Sequence, residues 1–216
     1  MSIVGFFDIL GTREAVMSGR FCDVDALEFV NAIGIAARLT PAIRFAVFSD
    51  SVIVSAEEAA VRPLLRAINL MYGNWFSELV RVRGAISIGD TNWVDDEASD
   101  ELFRRCSNLT YARVYGKGLV TAYELERSAG PGAICFLTDG AVQLLEAAEP
   151  NSVLDGRTPM LCWATKRQAE ILESYARRHL ERTRTDTAEW RHAYATKDFC
   201  ASVVANRKFL PDSYAD

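Results

Sequence analysis

Histidine is nearly absent. His179 and His192 are the only two in 216 residues. So small a supply gives no support to a histidine metal centre or a Ser/His/Asp triad, and both read as surface or helix-packing residues. The five cysteines, Cys22, Cys106, Cys135, Cys162 and Cys200, are odd in number and scattered, with no C-x-x-C spacing. That pattern argues against structural zinc and a disulfide framework and reads as buried hydrophobes in a reducing compartment. A basic excess is also missing: 24 Lys and Arg stand against 29 Asp and Glu, a net charge of -5. The phosphate field of a nucleic acid calls for the opposite balance, so no nucleic-acid partner is expected. No apolar run approaches the ~18 residues of a membrane span. The opening Met-Ser-Ile-Val-Gly has no charged leader, so a cytoplasmic protein is expected. G-x-x-x-x-G-K-[ST] and H-E-x-x-H are both absent.

What is present is an ordinary globular balance, 50% apolar and 25% charged. A chain this long buries ~70% of its unfolded surface and needs no covalent staple. Residues 2–8 read as a buried strand ending at Gly11. Asp25 reads as a helix N-cap, with Leu27, Val30 and Ile33 on one face and Pro41 ending the helix. Residues 43–48 and 52–55 read as two strands joined at Ser49-Asp50-Ser51. Val61, Leu64, Leu65, Ile68, Met71, Trp75 and Leu79 recur at helical spacing. Residues 81–88 read as a strand, the acidic stretch 91–106 as a surface loop with some helix, and Gly116-Lys117-Gly118 as the start of a helix running to Ser128. A strand at 133–137, a short helix from Asp139, a strand at 160–164 and a helical tail broken near 183–187 complete the pattern. In the tail, Ala169, Leu172, Tyr175, Ala176, His179 and Leu180 share a face. Trp75 and Trp163 read as core. Arg177, Arg178, Arg182, Arg184 and Arg191 read as a solvated face. The interleaving predicts an α/β sandwich with a mixed or antiparallel sheet and helices mainly on one face.

The chemistry concentrates in two apolar strands that each end in an aspartate: Phe6-Phe7-Asp8-Ile9-Leu10-Gly11 and Phe48-Ser49-Asp50. A carboxylate at the end of a buried strand is costly unless it is paired or holds a cation. Two on adjacent strands, with the Ile9 carbonyl, suit hard divalent ions. Two such ions about 4 Å apart serve phosphoryl transfer. Backbone N–H groups at Gly11 and Thr12, followed by a polar helical start, suit phosphate oxygens. Arg83, Arg113, Lys117 and Arg157 are candidate cations for a triphosphate. Taken singly, each piece has an ordinary structural explanation as a turn, a cap or an ion pair.

The order F-x-D-I-x-G, F-x-D, R-x-x-I-x-x-G and G-x-x-x-x-x-A-x-x-L-E resembles the catalytic domain of class III nucleotide cyclases. Here these are Phe6–Gly11, Phe48–Asp50, Arg83–Gly89 and Gly116–Glu126. Ile134-Cys135-Phe136-Leu137-Thr138 is similar to the family's next strand. The resemblance covers roughly residues 3–165, and 166–216 would form a C-terminal helical extension packed on it. It implies a ferredoxin-like α/β (α+β) fold and a head-to-tail homodimer with sites at the interface. It also implies two Mn²⁺ or Mg²⁺ ions held by Asp8, Ile9 and Asp50, with Asp8 and Asp50 catalytic. Phe7, Gly11, Thr12, Ala46, Arg83, Arg113 and Lys117 would border the nucleotide.

Departures from the family pattern are specific. Ala46 stands where purine cyclases place a lysine, and Arg113 where they place a base-reading acidic or polar residue. The transition-state Asn and Arg align with Val120 and Glu124, and Lys117 is a candidate stand-in for the arginine. Arg113 can donate to the carbonyls of uracil, or can pair with Glu124 or Glu126 as a structural residue. The whole pattern resembles the bacterial pyrimidine cyclases of the Pycsar anti-phage system. That resemblance implies cyclic UMP, or else cyclic CMP, made for a separate effector protein. The alternatives are a purine cyclase with a divergent pocket and a non-catalytic module that binds nucleotide or dimerises.

Overall fold

The computed structural model describes residues 1–19, 23–94, 114–185 and 187–214. Arg113, the stretch 95–106, Cys22, Cys106 and the Asp25 side chain lie outside the described residues.

The spine is β1 (Ser2–Ile9). It pairs antiparallel with β3 (Ser51–Glu57) on one side and β4 (Val82–Gly89) on the other. Strand β2 (Arg44–Phe48) closes the hairpin with β3. Helix α2 (Asp23–Leu39) links β1 to β2, and α3 (Val61–Ser77) links β3 to β4. The order β2-β3-β1-β4 with two such crossovers is the split βαβ arrangement of the ferredoxin-like fold expected from the sequence. Strand β7 (Cys135–Leu137) adds parallel to β4, and β9 (Met160–Leu161) and β8 (Val153–Leu154) extend the sheet. A separate ribbon pairs β5 (Asn92–Trp93) with β6 (Val114–Tyr115). The remaining helices are the short α1 (Thr12–Met17), α4 (Lys117–Ser128), α5 (Asp139–Ala148), α6 (Lys166–Arg182) and α7 (Ala188–Asn206). None of the described helices is long and apolar enough to cross a membrane.

Strand alternation gives β1 two different faces. Phe7 is fully buried against Tyr72 and Trp75 of α3. Its ring lies so close over Gly5 and Gly84 that a Cβ on either would collide with it. Val4 and Phe6 turn the other way, Val4 to Gly118 and Phe6 to Tyr123, both on α4. Helices therefore cover both faces, contrary to the one-sided expectation, because β1 is apolar on both.

Three smaller expectations are also corrected. Helix α2 starts at Asp23 and buries Phe29, Ala32, Ile33 and Ala36, whereas Leu27 and Val30 are exposed. The helical repeat ending in Leu79 overruns α3, which stops at Ser77. There the N–H of Val80 donates to the Trp75 carbonyl at 2.7 Å and that of Leu79 to Phe76 at 3.2 Å. These are the two bonds of a Schellman stop, with Leu79 in the left-handed position (φ 62°) that glycine usually takes. In the tail, Ala169, Leu172 and Ala176 are buried, but Tyr175 is exposed. The two C-terminal helices join the same hydrophobic core through these residues and through Phe199, Cys200 and Val203.

Candidate active site

Asp8 is the last residue of β1 that points to the α4 face. In register with it stand Ser51 on β3 and Arg83 on β4, and Phe48 on β2 pairs with Ser51. Register-paired residues share a face, so the row Phe48–Ser51–Asp8–Arg83 crosses four strands at one end of the sheet. The Ser51 hydroxyl donates to Asp8 Oδ1 at 2.5 Å. Asp50 occupies the two-residue turn between β2 and β3, after Ser49 in a left-handed conformation (φ 50°). The Ile9 N–H donates to the Asp50 carbonyl at 3.0 Å and fixes this turn against the end of β1. The predicted pair of aspartates thus meets at one place, by hairpin geometry rather than by chance proximity.

The electrostatics match that placement. Burial raises the Asp8 pKa from 3.8 to about 6; the nearby charges of Asp50 and Glu126 push the same way, against the Ser51 hydrogen bond and Arg83. A carboxylate so destabilised as an anion gains from a cation. Asp8, Asp50 and the Ile9 carbonyl offer oxygen donors only, the set that magnesium and manganese accept. One lone pair of that carbonyl already receives the Thr12 hydroxyl at 3.2 Å. Among the described residues no three His, Cys, Asp or Glu side chains cluster to hold a metal by themselves. Two carboxylates suffice for a hard ion that completes its shell with water and phosphate oxygens. The residues fit the cation.

A cleft of about 450 Å³ opens on this pair. Asp8, Ile9, Gly11, Thr12, Asp50 and Arg83 all line it, six of the sequence-predicted residues brought together. Gly11 caps α1 in a left-handed turn (φ 82°). Arg83 is already engaged: its Nε donates to Glu126 at 2.6 Å and its Nη1 to the Gly130 carbonyl at 3.0 Å. The Glu126 carboxylate, one of the two considered for Arg113, is buried and belongs to this Arg83 pair.

The other predicted residues lie elsewhere. The Phe7 side chain belongs to the core, so its expected contact with nucleotide is corrected to a packing role. Ala46 pairs with Ile53 one row further along β2, outside the cleft lining. Lys117 opens α4, whose Gly118 packs on Gly89, the partner of Ser2. Ser2 is six residues from Asp8, so Lys117 lies ~20 Å away at the opposite end of the strand. The backbone there explains the paired glycines: a Cβ at Gly116 would strike Asp90, and one at Gly118 would press tightly on Val4 and Gly89. Arg157 falls between β8 and β9, away from the cleft lining.

Sequence reasoning missed one wall of the cleft. Arg81, Glu189 and His192 line it, the last two from α7. The Arg81 carbonyl accepts from Leu10 N–H at 2.8 Å, and its guanidinium donates to His179 Nε2 at 3.0 Å and Glu189 at 3.4 Å. His192 Nδ1 accepts the Gly132 N–H at 3.0 Å, which leaves its proton on Nε2. Burial first, then the guanidiniums of Arg83, Arg81 and Arg191, hold the His192 pKa below its usual range, with Glu14 opposing. No spacing in the sequence connects residues 189–192 to residue 8; only the fold does.

No protein-family model matches the sequence, and no curated protein matches it. Similar solved structures include the adenylyl cyclase CyaB from P. aeruginosa, 12% identical over 74% of this chain and 90% of that one, TM-score 0.46. Another is the guanylate cyclase domain of RhGC from Catenaria anguillulae in complex with GTP, 14% identical over 74% and 92%, TM-score 0.45. A third is a bacterial light-regulated adenylyl cyclase, 12% identical, TM-score 0.45; the match covers 66% of this chain and only 44% of that protein's length.

Proposed function

We propose that this chain is a nucleotide cyclase that converts UTP, and less readily CTP, to the 3′,5′-cyclic monophosphate and pyrophosphate. One observation carries the reading: Asp8 and Asp50 line one cleft together with Arg81, Arg83 and the Gly11-Thr12 turn. Asp8 and Asp50 hold the two divalent cations, with the Ile9 carbonyl alongside. When bound, such ions activate the attacking hydroxyl and neutralise the leaving group. The Ser51 hydroxyl fixes the Asp8 carboxylate in one orientation. Gly11 and Thr12 meet phosphate oxygens through their N–H groups, and Arg81 and Arg83 add positive charge beside them. The 3′-oxygen bonds to the α-phosphorus, the α,β P–O bond breaks, pyrophosphate leaves and the released proton passes to water.

Support for a pyrimidine comes from the sequence resemblance: Ala46 replaces the purine-reading lysine, and Arg113 suits uracil carbonyls. The same resemblance suggests an anti-phage second messenger read by a separate effector. A head-to-tail homodimer is implied by the same resemblance, and the separation of Lys117 from Asp8 is compatible with it. One protomer holds them at opposite ends of β1, and a second copy in reverse orientation brings the two ends together. Val120 and Tyr123 are exposed on the α4 surface that would meet it.

The test is incubation with Mn²⁺ and each of ATP, GTP, CTP and UTP separately, with products assigned by mass. A cyclic monophosphate from UTP or CTP is expected. Product from ATP or GTP alone would overturn the pyrimidine reading. Nucleotide binding without pyrophosphate release from any of the four would make the chain a non-catalytic module.

A further inference from the structure

The far end of the sheet holds a second cleft, of about 540 Å³. It lies where α2 gives way to β2 and where α3 begins, and Arg44 at the start of β2 pairs with Ser55 near the end of β3. The Asp8 row sits at the opposite ends of these strands, so the two clefts are separate. Leu39, Pro41, Ala42, Pro63 and Pro211 give this second cleft an apolar wall.

Arg62 and Arg66 line it from one face of α3. At i and i+4 their side chains start ~5–6 Å apart, a spacing at which like charges repel. Neither has a carboxylate partner among the described residues. Arg62 donates through Nε and Nη2 to the Ala148 carbonyl, at 3.3 and 3.2 Å, which leaves Nη1 open. Arg66 is the anomaly: it is half-buried, and its Nε is buried with no hydrogen-bond partner. A desolvated guanidinium edge without an acceptor is expensive, and native proteins rarely leave one so. Among the described residues the one carboxylate lining the cleft, Glu149, accepts from the Tyr214 hydroxyl at 3.4 Å instead.

We propose that this cleft binds a small phosphate monoester, its phosphate held between Arg62 and Arg66 and its organic body against the proline wall. Two guanidinium groups lining one cleft from successive turns favour a dianionic phosphate, with three terminal oxygens, over a carboxylate with two. The site is independent of the cyclase reading, since it shares no residue with the metal cleft.

The test is calorimetric titration of the full chain in EDTA with inorganic phosphate and with phenyl phosphate, in parallel with Arg66→Met and Arg62→Met. Saturable binding of both probes is expected, tighter for phenyl phosphate, and weakened about tenfold or more in Arg66→Met. Asp8→Asn, which alters only the other cleft, is expected to bind the probes as the parent does. If Arg66→Met misfolds, the exposed Arg62→Met carries the comparison. Absence of saturable binding, binding unchanged in the arginine variants, or binding lost in Asp8→Asn would each overturn the proposal. The first two leave nucleotide turnover untouched and so separate its failure from that of the cyclase reading.

Discussion

Asp8→Asn is expected to stabilise the metal-free protein while removing the proposed activity. The magnitude follows from the site. The carboxyl's ordinary pKa of 3.8 rises to about 6 in the fold, with burial as the largest cause. At ~1.4 kcal/mol per tenfold change in proton affinity, that is a ceiling of ~3 kcal/mol. The group keeps partial contact with solvent, which screens the Asp50 and Glu126 charges, so ~1–2 kcal/mol is the expected gain. The sign is fixed by linkage. The folded state holds the Asp8 proton more tightly than the unfolded state, so this group's contribution falls as pH rises from about 4 to about 6 and stays low above that. Asparagine has no charge to desolvate and keeps a carbonyl oxygen for the Ser51 hydroxyl. The assay is urea unfolding of parent and variant in EDTA, at pH 4 and pH 7.5. The variant should be more stable at pH 7.5 and nearly equal at pH 4. With Mn²⁺ added, the parent's midpoint should rise and the variant's should not. A variant less stable at pH 7.5, or a difference independent of pH, would refute the account of Asp8 as a strained, cation-seeking carboxylate.

Three other expectations test neighbouring parts of the structure. Glu126→Gln keeps the shape of the buried partner but removes the charge opposite Arg83; it should cost ~2–3 kcal/mol in urea unfolding, because a buried guanidinium loses its counter-charge. Gly84→Ala places a methyl group in the Phe7 ring and should cost ~1–3 kcal/mol, whereas Gly34→Ala, whose Cβ meets open space, should not destabilise. Leu79→Gly relieves a left-handed leucine that is 73% exposed and contributes little packing; a thermal midpoint raised by the equivalent of ~1 kcal/mol is expected, and a lowered midpoint would show that its packing outweighs the strain.

The sheet's central strands were legible because each combines a period-2 or fully apolar run with a sharp stop. Ser2–Ile9 ends at Gly11, and the hairpin turns on Ser49 and Asp50. Helix α3 was legible through its buried Leu64, Leu65, Ile68 and Met71. Its end was not, because a Schellman stop normally announces itself with glycine and here the position is Leu79. Helix α2 was placed but turned wrongly: Phe29 and Ala32 carry its buried face, and Leu27 and Val30 offered an equally apolar but exposed one. Strands of two residues such as Val153–Leu154 carry too few side chains for any period to show.

The candidate site divides along the same line. Asp8 and Asp50 are legible as candidates because each interrupts a strand where a charge is costly, a local signal. Arg83 is legible as a candidate too, yet its partner is not, since the pairing with Glu126 spans 43 residues and depends on α4 crossing β4. His192 reads from the sequence as a surface or helix-packing residue, and the packing holds: its Nδ1 fastens the Gly130–Gly132 turn to α7. The same turn supplies the Gly130 carbonyl that receives Arg83. One short Gly-Pro-Gly segment therefore ties the C-terminal helix to the arginine beside Asp8. Through that tie the C-terminal helices set the shape of the cleft as well as covering the core, so a deletion after residue 187 should alter the Arg83 environment and Mn²⁺ affinity together.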